Sequence, residues 1–318
     1  MRASSKLSKS STKHFQKKIL EWYRTHGRML PWRRGKTKWG RDPYRVLVSE
    51  VMLQQTQVDR VLPYYKTWIR RWPTVGSLAR ARLASVIKAW AGLGYNRRAV
   101  YLHEAAKKIT SEFGDTFPRT DDELMKLPGV GRYTARAIRT FAYGEDVGVL
   151  ETNTKRVLLR VFLGVSSLRE FNGFREKELL ELADAVVPKG KGDVWNQAMM
   201  DFGALVCTAK NPKCEECPLQ TMCKWCQLQT QSSNLKTQNH SVKVKTRKLR
   251  RIKFKETDRY FRGRIVDVVR QQSVPKNQLR TLMGRKYGLS DRDRFDKLVG
   301  SLVSDGLIAV SGMRVSLP

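Results

Sequence analysis

Apolar residues recur three and four positions apart through residues 14–206, the spacing of amphipathic helices packed on a core. It predicts helices over Phe15–Arg24, Asp42–Trp68, Ser77–Ala91, Arg97–Phe113, Asp121–Leu127, Arg132–Ala142 and Thr154–Leu163. Breaks fall at Pro31, Pro73, Gly94, Pro118, Pro128–Gly129 and Gly144, with no convincing strand alternation between them. From Gln227 the chain turns to Ser, Thr, Gln, Asn and Lys, and Lys236–Lys255 holds nine Lys/Arg and no acid, which reads as a basic linker. Helical spacing then returns over Arg259–Arg270, Lys276–Tyr287 and Asp291–Ser304, followed by a short hairpin, Leu307–Val310 and Arg314–Leu317. Three helices and a hairpin resemble a winged helix. The expected organisation is a basic disordered stretch over 1–13, an all-α domain over 14–226, a linker over 227–257 and a winged-helix-like domain over 258–318.

Composition narrows the partner. The chain has 318 residues, with 62 Lys+Arg against 29 Asp+Glu, a net charge of +33. A surplus this large makes a polyanion the default partner, either nucleic acid or an anionic membrane face. The 41% hydrophobic content is too high for a wholly disordered basic tail. No apolar run reaches the ~18 residues of a membrane span, and the basic, Ser-rich start lacks the apolar core of a secretory signal.

Three motifs bear chemistry. All five cysteines fall between Cys207 and Cys226, which points to a metal site in a reducing compartment rather than to disulfides. Four of them, Cys207-x6-Cys214-x2-Cys217-x5-Cys223, could hold zinc or an iron–sulfur cluster. Zinc sites tend to come as two close pairs separated by a longer loop, which this is not. Cys226 is left over. The second motif is Leu127-Pro128-Gly129-Val130-Gly131-Arg132-Tyr133. A capping-box pattern at Thr120–Glu123 starts one short helix, Leu127–Gly129 ends it and another begins at Gly131. Gly129, Val130, Gly131 and Arg132 would then bring free N–H groups close to a phosphate; the plain alternative is a tight turn between helices. The third is Glu50, in the otherwise almost wholly apolar stretch Tyr44–Leu53 of a helix opened by Asp42-Pro43. Such a carboxylate either snorkels outward or is buried with a raised pKa, ready to give a proton.

These motifs resemble one family. The cysteine spacing is similar to the four-iron loop of endonuclease III and the MutY DNA glycosylases, and Leu127–Gly131 to their helix-hairpin-helix. Ser49-Glu50-Val51-Met52-Leu53-Gln54-Gln55-Thr56 looks like the catalytic helix of the MutY adenine glycosylases, and Leu30–Arg33, Trp90–Tyr95 and Asn196–Asp201 match that family too. The resemblance covers roughly residues 15–226. It implies a two-lobed, all-helical helix-hairpin-helix glycosylase fold with a [4Fe–4S] cluster on Cys207, Cys214, Cys217 and Cys223. It implies that a nucleotide is flipped out of the duplex, because the glycosidic bond is out of reach inside the stack. Glu50 would then protonate N7 of adenine, Glu151 would stabilise the oxocarbenium-like sugar, and Asn153 and Tyr133 would assist. Lyase-type relatives have Lys where Tyr133 stands, so the resemblance implies a monofunctional enzyme leaving an abasic site. Gln54, Gln55 and Tyr95 match positions that enter the helix beside the lesion, and Arg28, Trp32, Arg33 and Asp201 match the adenine pocket. Asp201 could equally be a helix-surface acid, and Tyr133 could simply pack.

Two departures stand out. The family reads Asp where Glu151 stands, and the extra methylene leaves open a working carboxylate, a slow enzyme or a different substrate. No Nudix-like β domain follows Cys226, and Asp291, Asp293 and Asp296 weaken a DNA-reading role for the last helix of the winged-helix-like domain. The expected partner is double-stranded DNA with a mismatch or an oxidised guanine, bound by a monomer in a prokaryotic cytoplasm, on the nucleoid. Adenine opposite 8-oxoguanine or guanine is the expected substrate. A thymine or uracil–guanine glycosylase and a lesion-binding protein with a weak site are the alternatives.

Overall fold

The computed structural model describes residues 8–35, 41–165, 175–235 and 253–318. Its helices are α1 (Lys9–His26), α2 (Pro43–Leu53), α3 (Val58–Arg71), α4 (Val75–Ala79), α5 (Leu83–Ala89), α6 (Arg97–Phe113), α7 (Asp121–Met125), α8 (Arg132–Tyr143), α9 (Thr152–Leu158), α10 (Glu176–Ala185), α11 (Gly192–Leu205), α12 (Lys224–Leu235), α13 (Asp258–Gln271), α14 (Lys276–Tyr287) and α15 (Arg292–Ser304). The strands among the described residues are β1 (Val274–Pro275), β2 (Ala309–Ser311) and β3 (Arg314–Ser316), antiparallel in the order β1-β3-β2. The chain forms two compact units. One comprises Met1–Val46, Arg119–Asp121 and Gly131–Lys243; the other comprises Leu47–Pro118, Asp122–Val130 and Val244–Pro318.

The core of the first unit joins Phe15 and Ile19 of α1 to Val157 and Leu158 of α9, Leu179 and Leu182 of α10, and Trp195, Met199 and Phe202 of α11. Phe15 meets Phe162 and Trp195 edge-on at 5.0 and 5.3 Å, a favoured aromatic geometry. Helix α11 is buried at ten of its positions, so it shows little of the one-faced periodicity that marks a surface helix. The second unit carries a core in which Ile87 of α5 and Val100 of α6 pack with Phe261, Ile265, Val266, Phe295 and Leu307. The winged-helix-like module therefore shares a core with α5 and α6.

Several boundaries differ from the sequence expectation. The helix predicted over Asp42–Trp68 is two helices, α2 and α3, parted at Gln54–Gln57, where Gln55 has φ +55°. Ser77–Ala91 likewise divides into α4 and α5, with Arg80 closing one and Arg82 opening the other. Helix α1 starts at Lys9, inside the stretch expected to be disordered, because the Ser8 hydroxyl accepts the Ser11 N–H. Helix α12 runs on to Leu235, past the predicted start of the linker; 236–252 lie outside the described residues. No helix among the described residues is long and apolar enough to cross a membrane.

Candidate functional site

The cysteine loop leaves the end of α11 and returns into α12. One cavity is lined by Cys207, Cys214, Cys217 and Cys223, walled by Val161, Phe202, Leu219 and Trp225, and edged by Cys226. A π-helical turn, Leu159–Leu163, follows α9 and puts Arg160 beside it. The Arg160 guanidinium donates to Thr208 O (2.7 Å), Ala209 O (3.0 Å) and Cys207 Sγ (3.5 Å), and lies 4.6 Å over Trp225. Burial pushes the Cys214 thiol up to about 11 and the Cys217 thiol up to about 12, the neighbouring thiols adding to the effect. Four mutually repelling sulfurs in an apolar cavity need a cationic metal centre to become thiolates. Among the described residues no three His, Cys, Asp or Glu side chains are arranged to hold a single metal ion. Tetrahedral zinc, with Zn–S of about 2.3 Å, would draw its sulfurs to within about 4 Å of one another. A four-iron cluster takes one thiolate per iron and fits a wider set.

The turn of the hairpin and the start of the next helix are built as the sequence suggests, with Val130 N–H on Leu127 O (3.1 Å) and Ala135 N–H on Gly131 O (2.9 Å). Gly129 has φ +75°, and a Cβ there would meet Tyr101 Cβ at 2.8 Å. Gly131 is exposed, caps α8 at an ordinary φ of −95°, and a Cβ there would meet nothing. Neither packing nor a positive φ demands that glycine. Arg132 is exposed beside it and Tyr133 is half-buried.

Glu50 lies on α2 with 6% exposure, so it does not snorkel; its helix neighbours Leu47, Val48, Val51 and Met52 are buried as well. The end of α2 is held by a residue that sequence reasoning missed. Arg98, 8% exposed in the first turn of α6, donates to the carbonyls of Val51 (2.7 Å), Met52 (3.1 Å), Gln54 (2.6 Å), Leu93 (3.1 Å) and Gly94 (3.1 Å), and to Thr56 Oγ1 (3.1 Å). One guanidinium thus supplies the carbonyl partners that a continued helix would have supplied, which is why α2 stops there. It also ties the Gln54–Gln55 turn to the Tyr95 turn. Both carry a non-glycine residue in the left-handed region, Gln55 at φ +55° and Tyr95 at φ +46°. The available signal was an arginine on the buried face that continues through Leu102, Ala105 and Ile109.

In the first unit, Arg28, Arg33 and Asp201 come together. The Asp201 carboxylate has no exposure and accepts from Arg28 N–H (2.8 Å), Arg28 Nε (2.8 Å), Arg33 Nη1 (2.7 Å) and Arg33 Nη2 (2.9 Å). Burial alone would raise its carboxyl, but the hydrogen bonds and charges of Arg33 and Arg28 prevail and hold it below the usual range. Trp32 is buried between the two arginines in sequence, on the turn Pro31–Arg33.

Glu151 is the N-cap of α9. Its Oε1 accepts Thr154 N–H (2.9 Å), its own N–H donates to Thr154 Oγ1 (2.9 Å), and its Oε2 accepts Asn153 Nδ2 (3.1 Å). The longer side chain therefore still makes the cap that an aspartate makes. Burial raises the Glu151 carboxyl above its ordinary value, opposed by the N–H groups of Asn153 and Thr154 and by Arg156. Arg156, also missed, donates to Asn153 Oδ1 (2.7 Å), Gly203 O (2.5 Å) and Cys207 O (2.7 Å), running a chain of bonds from the cap to the cysteine loop. Gly203 permits it: a Cβ there would lie 2.6 Å from Asn153 Cβ. Glu50, Gln54, Gln55, Tyr95, Gly129 and Val130 belong to the second unit; Glu151, Asn153, Tyr133, Gly131, Arg132 and the Asp201 triad belong to the first.

The profile of the HhH-GPD superfamily base excision DNA repair proteins matches residues 48–170, and that of the iron-sulfur binding domain of endonuclease III matches 207–223. The adenine DNA glycosylase of Mycolicibacterium smegmatis is 39% identical over 290 residues, 91% of each chain. The human adenine DNA glycosylase is 43% identical over 215 residues, 66% of this chain and 39% of that one. A solved thermostable thymine-DNA glycosylase shares the fold with a TM-score of 0.62 and 30% identity, covering 68% of this chain and 97% of its own. With that likeness running along nine-tenths of the Mycolicibacterium relative, the chain belongs to the adenine DNA glycosylases, DNA-binding enzymes of base excision repair that carry a [4Fe–4S] cluster.

Proposed function

We propose that the protein removes adenine mispaired with 8-oxoguanine or guanine, acting as a monomer on nucleoid DNA and leaving an abasic site. The observation that carries this reading is Glu50, a carboxyl enclosed on α2 beside the buried Leu47, Val48, Val51 and Met52. The Glu50 carboxyl gives its proton to N7 of the flipped adenine, so the electron pair of the breaking glycosidic bond is drawn into the base. Positive charge develops on the sugar, where the Glu151 carboxylate stabilises it and Asn153 holds that carboxylate in place. Water adds to the sugar carbon and gives its proton to the Glu50 carboxylate left by the first step, which restores the acid. Tyr133 supplies no amine, so no Schiff base forms. Arg28, Trp32, Arg33 and Asp201 shape the adenine pocket, Gln54, Gln55 and Tyr95 enter the duplex, and Gly129–Arg132 grip phosphates. Cys207, Cys214, Cys217 and Cys223 would hold the cluster, whose part is to fix the loop and its Lys210, Lys213 and Lys224 against DNA.

Single-turnover assays on duplexes with A, T or U opposite G or 8-oxoguanine test the reading. Adenine release is expected; release of T or U instead, or tight binding with no release, would overturn it. The pH dependence of that rate tests Glu151. A cation stabiliser must be ionised, so the rate should fall as pH drops through the raised Glu151 pKa, with the acid limb above that of an ordinary glutamate. In Glu151→Asp, a shorter carboxylate on the same cap, the limb should shift while adenine release persists.

A further inference from the structure

Helix α13 is fixed beside the Tyr95 turn. Its Arg270 donates to Ile87 O (3.2 Å) and Asn96 Oδ1 (2.7 Å), and Asp305, after α15, takes Arg97 at 2.9 Å. Between α13 and residues 94–101 lies a cleft of about 560 Å³ lined by Arg97, Arg98, Arg259, Arg262 and Arg264, with no carboxylate among its described lining residues. Most of these cations are already engaged. Arg98 holds backbone carbonyls, Arg97 and Arg262 share Asp305, and Arg264 pairs with Asp267 at 2.8 Å. Arg259 is different: it is exposed, and its guanidinium lies 3.7 Å over the Tyr95 ring and 5.6 Å from the ring of Phe254. An arginine stacked by its face keeps its edge N–H groups free for a bidentate oxyanion.

We propose that this cleft is a second DNA-backbone site, in which Arg259 of the winged-helix-like module binds a phosphodiester beside Tyr95. Phe254, 58% exposed, forms the apolar wall against which the sugar rests. The polarity of the module agrees. In helix-turn-helix modules the last helix of the motif reads the groove, but α15 spends Asp291 on its own N-cap and pairs Asp296 with Lys276 at 2.8 Å. Helix α13 turns Arg259, Arg262 and Arg264 to the cleft. Burial, together with the nearby charge of Arg259, pulls the Arg98 guanidinium down to about 10, and a bound phosphate would relieve that crowding. The module thereby becomes part of the surface that inserts Tyr95, not a tethered accessory.

The proposal rests on the DNA glycosylase reading and is tested on the full-length chain carrying its cluster. Fluorescence anisotropy with an undamaged duplex and an A·8-oxoguanine duplex, over a salt series, compares wild type, Arg259→Ala and Arg259→Lys. Losing one phosphate contact should weaken both duplexes several-fold and alike, and reduce the slope of log K against log salt by about 0.9. Arg259→Lys keeps the charge and should keep the slope. An unchanged slope in Arg259→Ala, or a loss confined to one opposite base, would overturn the proposal. Wild-type adenine release in the same buffers is the separate readout: its absence would sink the enzyme reading while the slopes still decide this one. Melting curves show whether the variants are folded; should Arg259→Ala fail, Arg259→Gln, which keeps the aliphatic stem without the charge, must show the same reduced slope, and an unchanged slope there would overturn the proposal.

Discussion

Glu50→Gln should lower single-turnover adenine release by about 10²–10⁴-fold, the usual worth of a positioned general acid. Glutamine has nearly the same shape and can accept or donate hydrogen bonds, but it has no proton to give to N7. Glutamine fits the same enclosed space on α2, so the melting temperature of the variant should be little changed. Affinity for an A·8-oxoguanine duplex should be kept, since the phosphate contacts assigned to the hairpin and the Tyr95 turn do not involve this side chain. That combination separates chemistry from architecture. A structural Glu50 would give the reverse, a lowered melting temperature with release largely intact. Single-turnover quenching with alkali, run beside thermal melts and anisotropy, reads all three quantities.

What the sequence disclosed and what it withheld divide along physical lines. Helix α6 was legible from end to end because one apolar face follows the 3.6-residue period and Gly114 closes it in the left-handed conformation. The cysteine loop and the hairpin were legible because their chemistry fixes spacing locally. The break between α2 and α3 was not, because the apolar period continues across it and the residue that ends α2, Arg98, is more than forty positions away. Arg156 escaped for a related reason: its partners, Asn153, Gly203 and Cys207, belong to three elements that only the fold assembles. At Glu151 the sequence shows only an added methylene, and the structure shows which bonds the carboxylate makes. The carboxylate keeps the cap of α9 and its bond to Asn153, so the extra methylene is absorbed without losing either.

Asp201→Ala is the stability counterpart. The sequence left open a pocket residue or a surface acid, and a surface acid would change stability by no more than about 0.5 kcal/mol. Asp201 instead has no exposure, and its two oxygens are shared by Arg28 and Arg33, with a further ion-pair contact to Arg28 Nη2 at 2.6 Å. Removing one partner from a buried pair leaves the other charges uncompensated, which costs about 3–5 kcal/mol. Arg28 is 30% exposed and Arg33 11%, so Arg33 bears the larger share. Chemical denaturation should therefore show a loss of this size at neutral pH. The carboxyl is depressed in the native state, so its contribution is complete above the ordinary aspartate pKa and fades as pH falls through the native one. The difference between wild type and variant should shrink in strong acid, a signature that a simple cavity would not give. Arg33→Met in the Asp201→Ala background should recover part of the loss, because it removes the charge left stranded. If the double variant is instead less stable than Asp201→Ala by the full cost of a second independent substitution, the two side chains are not coupled and the triad does not act as one unit.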